Sequence, residues 1–86
     1  MKSYEDIKLL QTCFACPEQY DAYFDGKEVG YLRLRWGNFT ADFMDETVYT
    51  ANPNGDGIFE SEEREFYLTE AKKAIFDAMT SGEIRN

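Results

Sequence analysis

Leu32-Arg33-Leu34-Arg35-Trp36-Gly37-Asn38-Phe39-Thr40-Ala41-Asp42-Phe43 decides the fold of this chain. Apolar and polar residues alternate on both sides of Gly37-Asn38, a pair suited to a two-residue hairpin turn. Closing the chain there sets Trp36 against Phe39, Leu34 against Ala41 and Leu32 against Phe43, all on one side. The other side receives Arg35 against Thr40 and Arg33 against Asp42. One turn thus separates apolar from polar residues and pairs opposite charges, the pattern expected of a half-buried antiparallel pair.

Working outward, residues 18–51 read as an antiparallel meander. A three-residue loop around Asp25-Gly26, with glycine in the left-handed position, places Tyr20, Ala22, Gly30 and Leu32 on one face. Thr47-Val48-Tyr49-Thr50 is β-branched and aromatic and suits a further strand after a turn at Asp45-Glu46. Near the start, Ser3 suits the cap of a short helix over Tyr4 to Leu10, while the alternation in Ile7-Lys8-Leu9 suits a strand. At the other end Ser61 is positioned to cap a helix, Glu62 and Glu63 fall in its first turn, and Gly82 is positioned to stop it. Leu68, Ala71, Ile75, Ala78 and Met79 form one stripe with Tyr67 and Ala74 beside it. That stripe is expected to cover the Leu32/Leu34/Trp36/Phe39/Phe43 face. Phe66 lies on the opposite side, with Glu70, Lys73 and Asp77. The expectation is therefore an α+β fold: a three- or four-stranded antiparallel meander with a C-terminal helix packed on one face, residues 1–86 forming one domain.

Composition narrows the function. The 86 residues carry 17 acids against 9 bases and no histidine, a formal net charge of −8. That balance disfavours direct binding to nucleic acid or to an anionic membrane, both of which reward positive charge. It leaves a metal cation, a basic protein surface, or a nucleic-acid-binding protein met by an acidic mimic. No apolar run approaches the ~18 residues a membrane span needs, and the first residues lack a basic-then-apolar signal layout, so a cytoplasmic protein is expected. Without histidine, the usual base for a serine or cysteine nucleophile is missing, and no glycine-rich phosphate loop is present. The expectation is a non-enzymatic chain.

The two cysteines form one CxxC, Cys13-Phe14-Ala15-Cys16, followed by Pro17. A zinc site needs four ligands and the chain offers no second pair. A redox CxxC opens a helix in a βαβ context, whereas this one precedes a strand. A pair of reduced thiols in a turn is the expected state, and no cofactor is expected there.

Asn52-Pro53-Asn54-Gly55-Asp56-Gly57-Ile58-Phe59-Glu60-Ser61-Glu62-Glu63 places oxygen ligands at alternate positions, then a glycine, then an acid at the twelfth residue. Over these twelve residues it resembles an EF-hand or dockerin-type calcium loop. The resemblance implies Asn52, Asn54 and Asp56 as side-chain ligands, the Ile58 carbonyl, and Glu63 as the bidentate carboxylate. Two features depart from it: asparagine stands at the first position, usually aspartate, and the incoming Thr47–Ala51 segment reads as strand, although Met44, Val48 and Ala51 also fit a helix face. The alternative is a strand-to-helix loop that uses Asn, Pro and Gly for their backbone angles and Glu for the helix dipole. Weak Ca2+ binding is thus the second functional expectation.

The first is protein binding. Tyr23, Val29, Tyr31, Arg33 and Arg35 are expected to line the outer face of the meander, and tyrosine and arginine are enriched at contact hot spots. Glu60, Glu62 and Glu65 supply an acidic cluster for a basic partner. The chain also resembles the small uncharacterised proteins of bacterial prophages, through Cys13-Phe14-Ala15-Cys16-Pro17-Glu18-Gln19-Tyr20-Asp21, the run from Val29 to Gly37, Gly55 to Phe59 and Glu63 to Leu68, over roughly residues 11–79. That resemblance transfers no functional residue. It implies a small phage-type inhibitor that binds a host protein.

Overall fold

Trp36 and Gly37 both adopt positive φ, 54° and 72°, and close a two-residue turn between strands β3 (Lys27–Arg35) and β4 (Asn38–Phe43). This corrects the turn expected at Gly37-Asn38. The pairs are Arg35–Asn38, Leu34–Phe39, Arg33–Thr40, Leu32–Ala41 and Tyr31–Asp42. A type I′ turn needs left-handed backbone at both central residues, and glycine serves best at the second. The expected and observed registers differ by one residue on each strand, so both keep Leu32, Leu34, Phe39, Ala41 and Phe43 on the same face. Alternation alone could not separate them. Only Trp36 changes place, from the core to the turn, where it is 84% exposed.

The structure, a computed structural model, describes residues 3–14 and 18–84, with 81–84 described by backbone alone. Cys16 and Pro17 lie outside the described residues. Five strands form one antiparallel sheet in the order β1-β2-β3-β4-β5, one more than the largest number expected. The additional strand is β1 (Lys8–Cys13), paired with β2 (Glu18–Phe24). Both readings of the first segment hold in part. Ser3 caps a single 3-10 turn over Tyr4–Asp6, accepting from the Glu5 N–H while Asp6 accepts from the Ser3 N–H, and the strand then begins at Lys8.

Asp25 and Gly26 also form a two-residue left-handed turn, with Phe24 opposite Lys27, rather than the expected three-residue loop. A bulge that leaves Val29 without a direct partner then restores the face, so Tyr20 pairs with Leu32 and Ala22 with Gly30, all four buried. Val29 packs against the core rather than lining the outer face. The third turn is Met44-Asp45, both at positive φ, one residue before the expected Asp45-Glu46. It leads into β5 (Glu46–Ala51), where a second bulge at Val48 lets Asp42 face Thr47 and Ala41 face Tyr49.

Helix α1 (Ser61–Ile84) lies across one face of the sheet. Ala71 and Ile75 are buried against it, with Tyr67, Leu68, Phe76 and Met79 packed around them. Gly30 makes this approach possible: a Cβ there would stand 2.5 Å from the Asp42 carbonyl oxygen and 3.0 Å from Ile75 Cδ1. Two end assignments are corrected. Ser61 is the first helical residue, because the Glu60 carbonyl accepts from the Glu63 and Arg64 N–H groups and so occupies the capping position. The backbone continues through Gly82 to Ile84, since one glycine costs a helix only about 1 kcal/mol. The aromatic centre is Phe39, fully buried, with Phe59 edge-on at 4.9 Å and Tyr49 and Tyr67 at 6.0 and 6.3 Å.

Candidate interaction site

The face of the sheet turned away from α1 carries the outward side chains of β3: Tyr31, Arg33 and Arg35. Alternation puts them there, because Gly30, Leu32 and Leu34 occupy the opposite, buried positions. The Arg33 guanidinium lies 5.5 Å from the centre of the Tyr31 ring, and that of Arg35 lies 5.4 Å from the Trp36 ring. Cation–π contact of this kind holds each guanidinium plane while leaving its N–H edges available. Across the ladder, Thr40 stands opposite Arg33 and Asn38 opposite Arg35. Arg33, Arg35, Trp36, Asn38 and Thr40 line a shallow cavity of about 430 Å³. On the far side of Arg35 and Trp36, a second cavity of about 470 Å³ is closed by Asp56 and Gly57.

Tyr23 does not join this group. It pairs with Glu28 beside the Asp25-Gly26 turn, at the end of the sheet opposite Trp36. Glu60, Glu62 and Glu65 are all exposed at the start of α1. Glu62 and Glu65 belong to α1, which packs on the sheet face opposite Tyr31, Arg33 and Arg35, and Glu60 caps it. Phe66 is exposed on the same helix and meets the Tyr67 ring edge-on.

The loop between β5 and α1 is organised by Glu63. Its carboxylate accepts from the backbone N–H groups of Asn54 at 2.8 Å, Gly55 at 2.8 Å and Glu60 at 3.0 Å. Desolvation acts to raise its pKa, but these three donors outweigh it and hold the carboxyl below the usual range. Asn54 and Asp56 are exposed, and Ile58 is 41% exposed. The Asn52 side-chain amide turns back to donate to the Gly37 carbonyl at 3.2 Å, tying the loop to the Trp36 turn. The segment entering the loop is strand, as its β-branched residues suggest. Among the described residues, no group of three or more acidic, cysteine or histidine side chains converges as a metal site. Gly55 is required by packing: a Cβ there would stand 2.0 Å from the Ile58 carbonyl oxygen.

Sequence reasoning missed Glu18. It is the one buried charged side chain among the described residues, and its oxygens accept from Arg64 Nε at 2.8 Å, Arg64 Nη2 at 3.2 Å, the Phe59 N–H at 3.0 Å and the Tyr20 hydroxyl. Its own N–H donates to the Gly57 carbonyl at 2.7 Å. Burial works to raise the Glu18 pKa, but the Arg64, Tyr20 and Phe59 donors prevail and lower it. Tyr20 is displaced upward, by burial first and by the neighbouring carboxylate second. This cluster locks β2, the loop and α1 together, and among the described residues every buried polar side-chain atom is satisfied. The signal in sequence was an acid in register with Tyr20 and Ala22, at a core position where alternation predicts an apolar residue. Comparison with protein-family models, with curated proteins and with solved structures finds no match to this chain.

Proposed function

We propose that this chain acts by binding another protein, with the Arg35–Trp36 end of the open sheet face as the anchor. The observation that carries this reading is Trp36. A tryptophan at φ 54° and 84% exposed is unfavourable twice over, in its backbone and in its solvation. Asparagine or glycine would make the same turn better. Tryptophan and arginine side by side are the residue types that dominate contact energies when a partner covers them. Trp36 is also held in place, stacked by Arg35 and braced by the loop through Asn52 and Gly37.

The net charge of −8 supplies the second element, a long-range field that favours a basic partner. Glu60, Glu62 and Glu65 project it from the helical side. An acidic chain that occupies the basic surface of a nucleic-acid-binding protein is the form of inhibition this arrangement suits.

The test is surface plasmon resonance against a partner isolated by affinity capture. Trp36→Asn keeps the turn and is expected to raise the dissociation rate about 30-fold, as a hot spot of about 2 kcal/mol implies. Glu60→Gln/Glu62→Gln/Glu65→Gln is expected to slow association and flatten its salt dependence, with dissociation little changed. Binding indifferent to Trp36 removes the reading.

A further inference from the structure

Arg33 and Arg35 make no ion pair among the described residues, in a chain where acids outnumber bases 17 to 9. Arg64 is committed to Glu18 and Lys73 approaches Glu70, whereas Lys8, Lys27 and Lys72 are without an ion pair among the described residues as well. What sets Arg33 and Arg35 apart is that they share one cavity. On the ladder, Asp21 and Asp42 flank Tyr31 one row along, and Asp56 shares the adjoining cavity with Arg35 and Trp36. Asp42 accepts from the Thr47 hydroxyl at 2.8 Å, and none of these aspartates pairs with Arg33 or Arg35. The cavity wall is therefore rich in donors and free of carboxylates. Two guanidinium forks, the Asn38 amide and the Thr40 hydroxyl surround it, the Trp36 ring closes one side, and no carboxylate lines it.

We propose that Arg33, Arg35, Asn38 and Thr40, walled by Trp36, form a subsite that takes carboxylate side chains of a partner protein. This rests on the protein-binding reading above and names what the anchored face recognises. A guanidinium already stacked on a ring offers its N–H edge in a fixed plane, which suits the bidentate geometry of a carboxylate. Arg33 and Arg35 are two residues apart on one strand, roughly 6.6 Å. That is the backbone spacing, and the forks lean apart, Arg33 over Tyr31 and Arg35 over Trp36. The matching partner is therefore an extended segment whose acids stand at least two residues apart, one carboxylate to each fork, with glutamates at i and i+2 as its shortest form. Nucleic-acid phosphate offers comparable oxygens. However, a polyanionic strand would run onto Asp21 and Asp42 in the next row and meet the −8 field of the whole molecule. Isolated carboxylates on an otherwise basic partner avoid both penalties.

The probe is the capped peptide acetyl-Gly-Glu-Tyr-Glu-Gly-amide, titrated into the full 15N-labelled chain. The readouts are the arginine Nε–Hε signals and the Trp36 indole N–H. The matched peptide with both Glu replaced by Gln, and inorganic phosphate at equal ionic strength, are the two comparison arms. Saturable shifts of the Arg33, Arg35 and Trp36 signals with the Glu peptide are expected at millimolar concentration. The Gln peptide is expected to bind at least tenfold more weakly. Arg33→Gln/Arg35→Gln, checked for an intact amide spectrum, is expected to lose the response. Equal binding of the Gln peptide overturns the subsite in favour of uncharged stacking. Phosphate binding as tight as the peptide overturns it in favour of a general anion or nucleic-acid site. Absence of saturable shifts overturns it outright. None of these results bears on whether a captured partner depends on Trp36, so the subsite and the anchor fail separately.

Discussion

Arg64 reaches back 46 residues to place Nε and Nη2 at 2.8 and 3.2 Å from the two carboxylate oxygens of Glu18, a side chain with no exposed surface. Removing one member of a buried pair leaves the other charge uncompensated, at a cost of about 3–5 kcal/mol. Arg64 is 37% exposed, so water softens the loss on its side. Arg64→Ala, which strands the buried Glu18 carboxylate, is expected to lie within that range, and Glu18→Ala, which leaves a partly hydrated guanidinium, near its lower end, about 3 kcal/mol, by urea denaturation. The double variant should cost less than the sum by about 1–3 kcal/mol, the signature of direct coupling. Additive effects would show that the two residues act independently.

Glu18 and Tyr20 of this cluster, with Glu63 of the loop, should shape the pH profile. Glu18 and Glu63 both have lowered pKa values in the fold, so their contribution is complete above the unfolded value, roughly pH 4.3. It is lost as pH falls through the folded values, because the unfolded chain takes up protons first. Tyr20 has a raised pKa, so its contribution is complete below its unfolded value of roughly 10 and is lost as pH rises beyond that. Stability measured by urea titration should be level with respect to these groups between about pH 5.5 and 9 and fall on both sides. Tyr20→Phe should abolish much of the alkaline fall, and Glu18→Gln should reduce the acid one. Unchanged slopes would assign the dependence to other groups.

The Trp36-Gly37 turn should respond in opposite directions to two changes. Trp36→Asn relieves a left-handed bulky residue and should stabilise the chain by about 0.5–1 kcal/mol. Gly37→Ala adds a Cβ at φ 72° and should destabilise it by about 1–2 kcal/mol, although nothing lies within 4 Å of that Cβ. Thermal and chemical melts of the two variants check both signs.

In the Asn52–Glu63 loop, Glu63→Ala releases three backbone N–H groups and should cost about 1–2 kcal/mol in metal-free buffer, less than three separate bonds because water replaces part of the carboxylate's role. Gly55→Ala should cost more than Gly26→Ala. The first puts a Cβ against the Ile58 carbonyl, whereas the second meets nothing within 4 Å and bears only backbone strain. Equal losses at the two glycines would show that the loop relaxes around the added methyl group.

What the sequence disclosed followed from periodicity. Leu32, Leu34, Phe39 and Ala41 alternate cleanly, and their burial was legible, as was the Ala71–Ile75 stripe of the helix. Turn position was not, because shifting each strand by one residue leaves the same side chains inward and only backbone angles choose between the two registers. The bulge at Val29 was hidden for a related reason: it corrects the parity set by a two-residue turn, so the face came out right through the wrong loop length, and nothing in the sequence marked the bulge at Val48. Strand β1 was obscured by the adjacent Leu9 and Leu10, which fit no period-2 pattern. In the candidate site, Tyr31, Arg33 and Arg35 were legible from alternation. Trp36 was misassigned because a large aromatic at the end of an apolar run reads as core. Glu18 broke the alternation at a core position, but its role was missed because its partner lies in a helix far along the chain.

The order β1-β2-β3-β4-β5 has a kinetic consequence. Every strand bonds to its neighbour in the chain, so the sheet assembles from local contacts with little loop-closure entropy. The Glu18–Arg64 contact is of another kind, because it needs the finished sheet, the ordered loop and the docked helix at once. It is therefore expected to form after the transition state. Arg64→Ala should speed unfolding while leaving the refolding rate nearly unchanged, whereas Leu34→Ala, at the heart of the central hairpin, should slow refolding. The buried pair thus acts as a latch: the sheet governs how fast the native state is reached, and Glu18 and Arg64 govern how long it lasts.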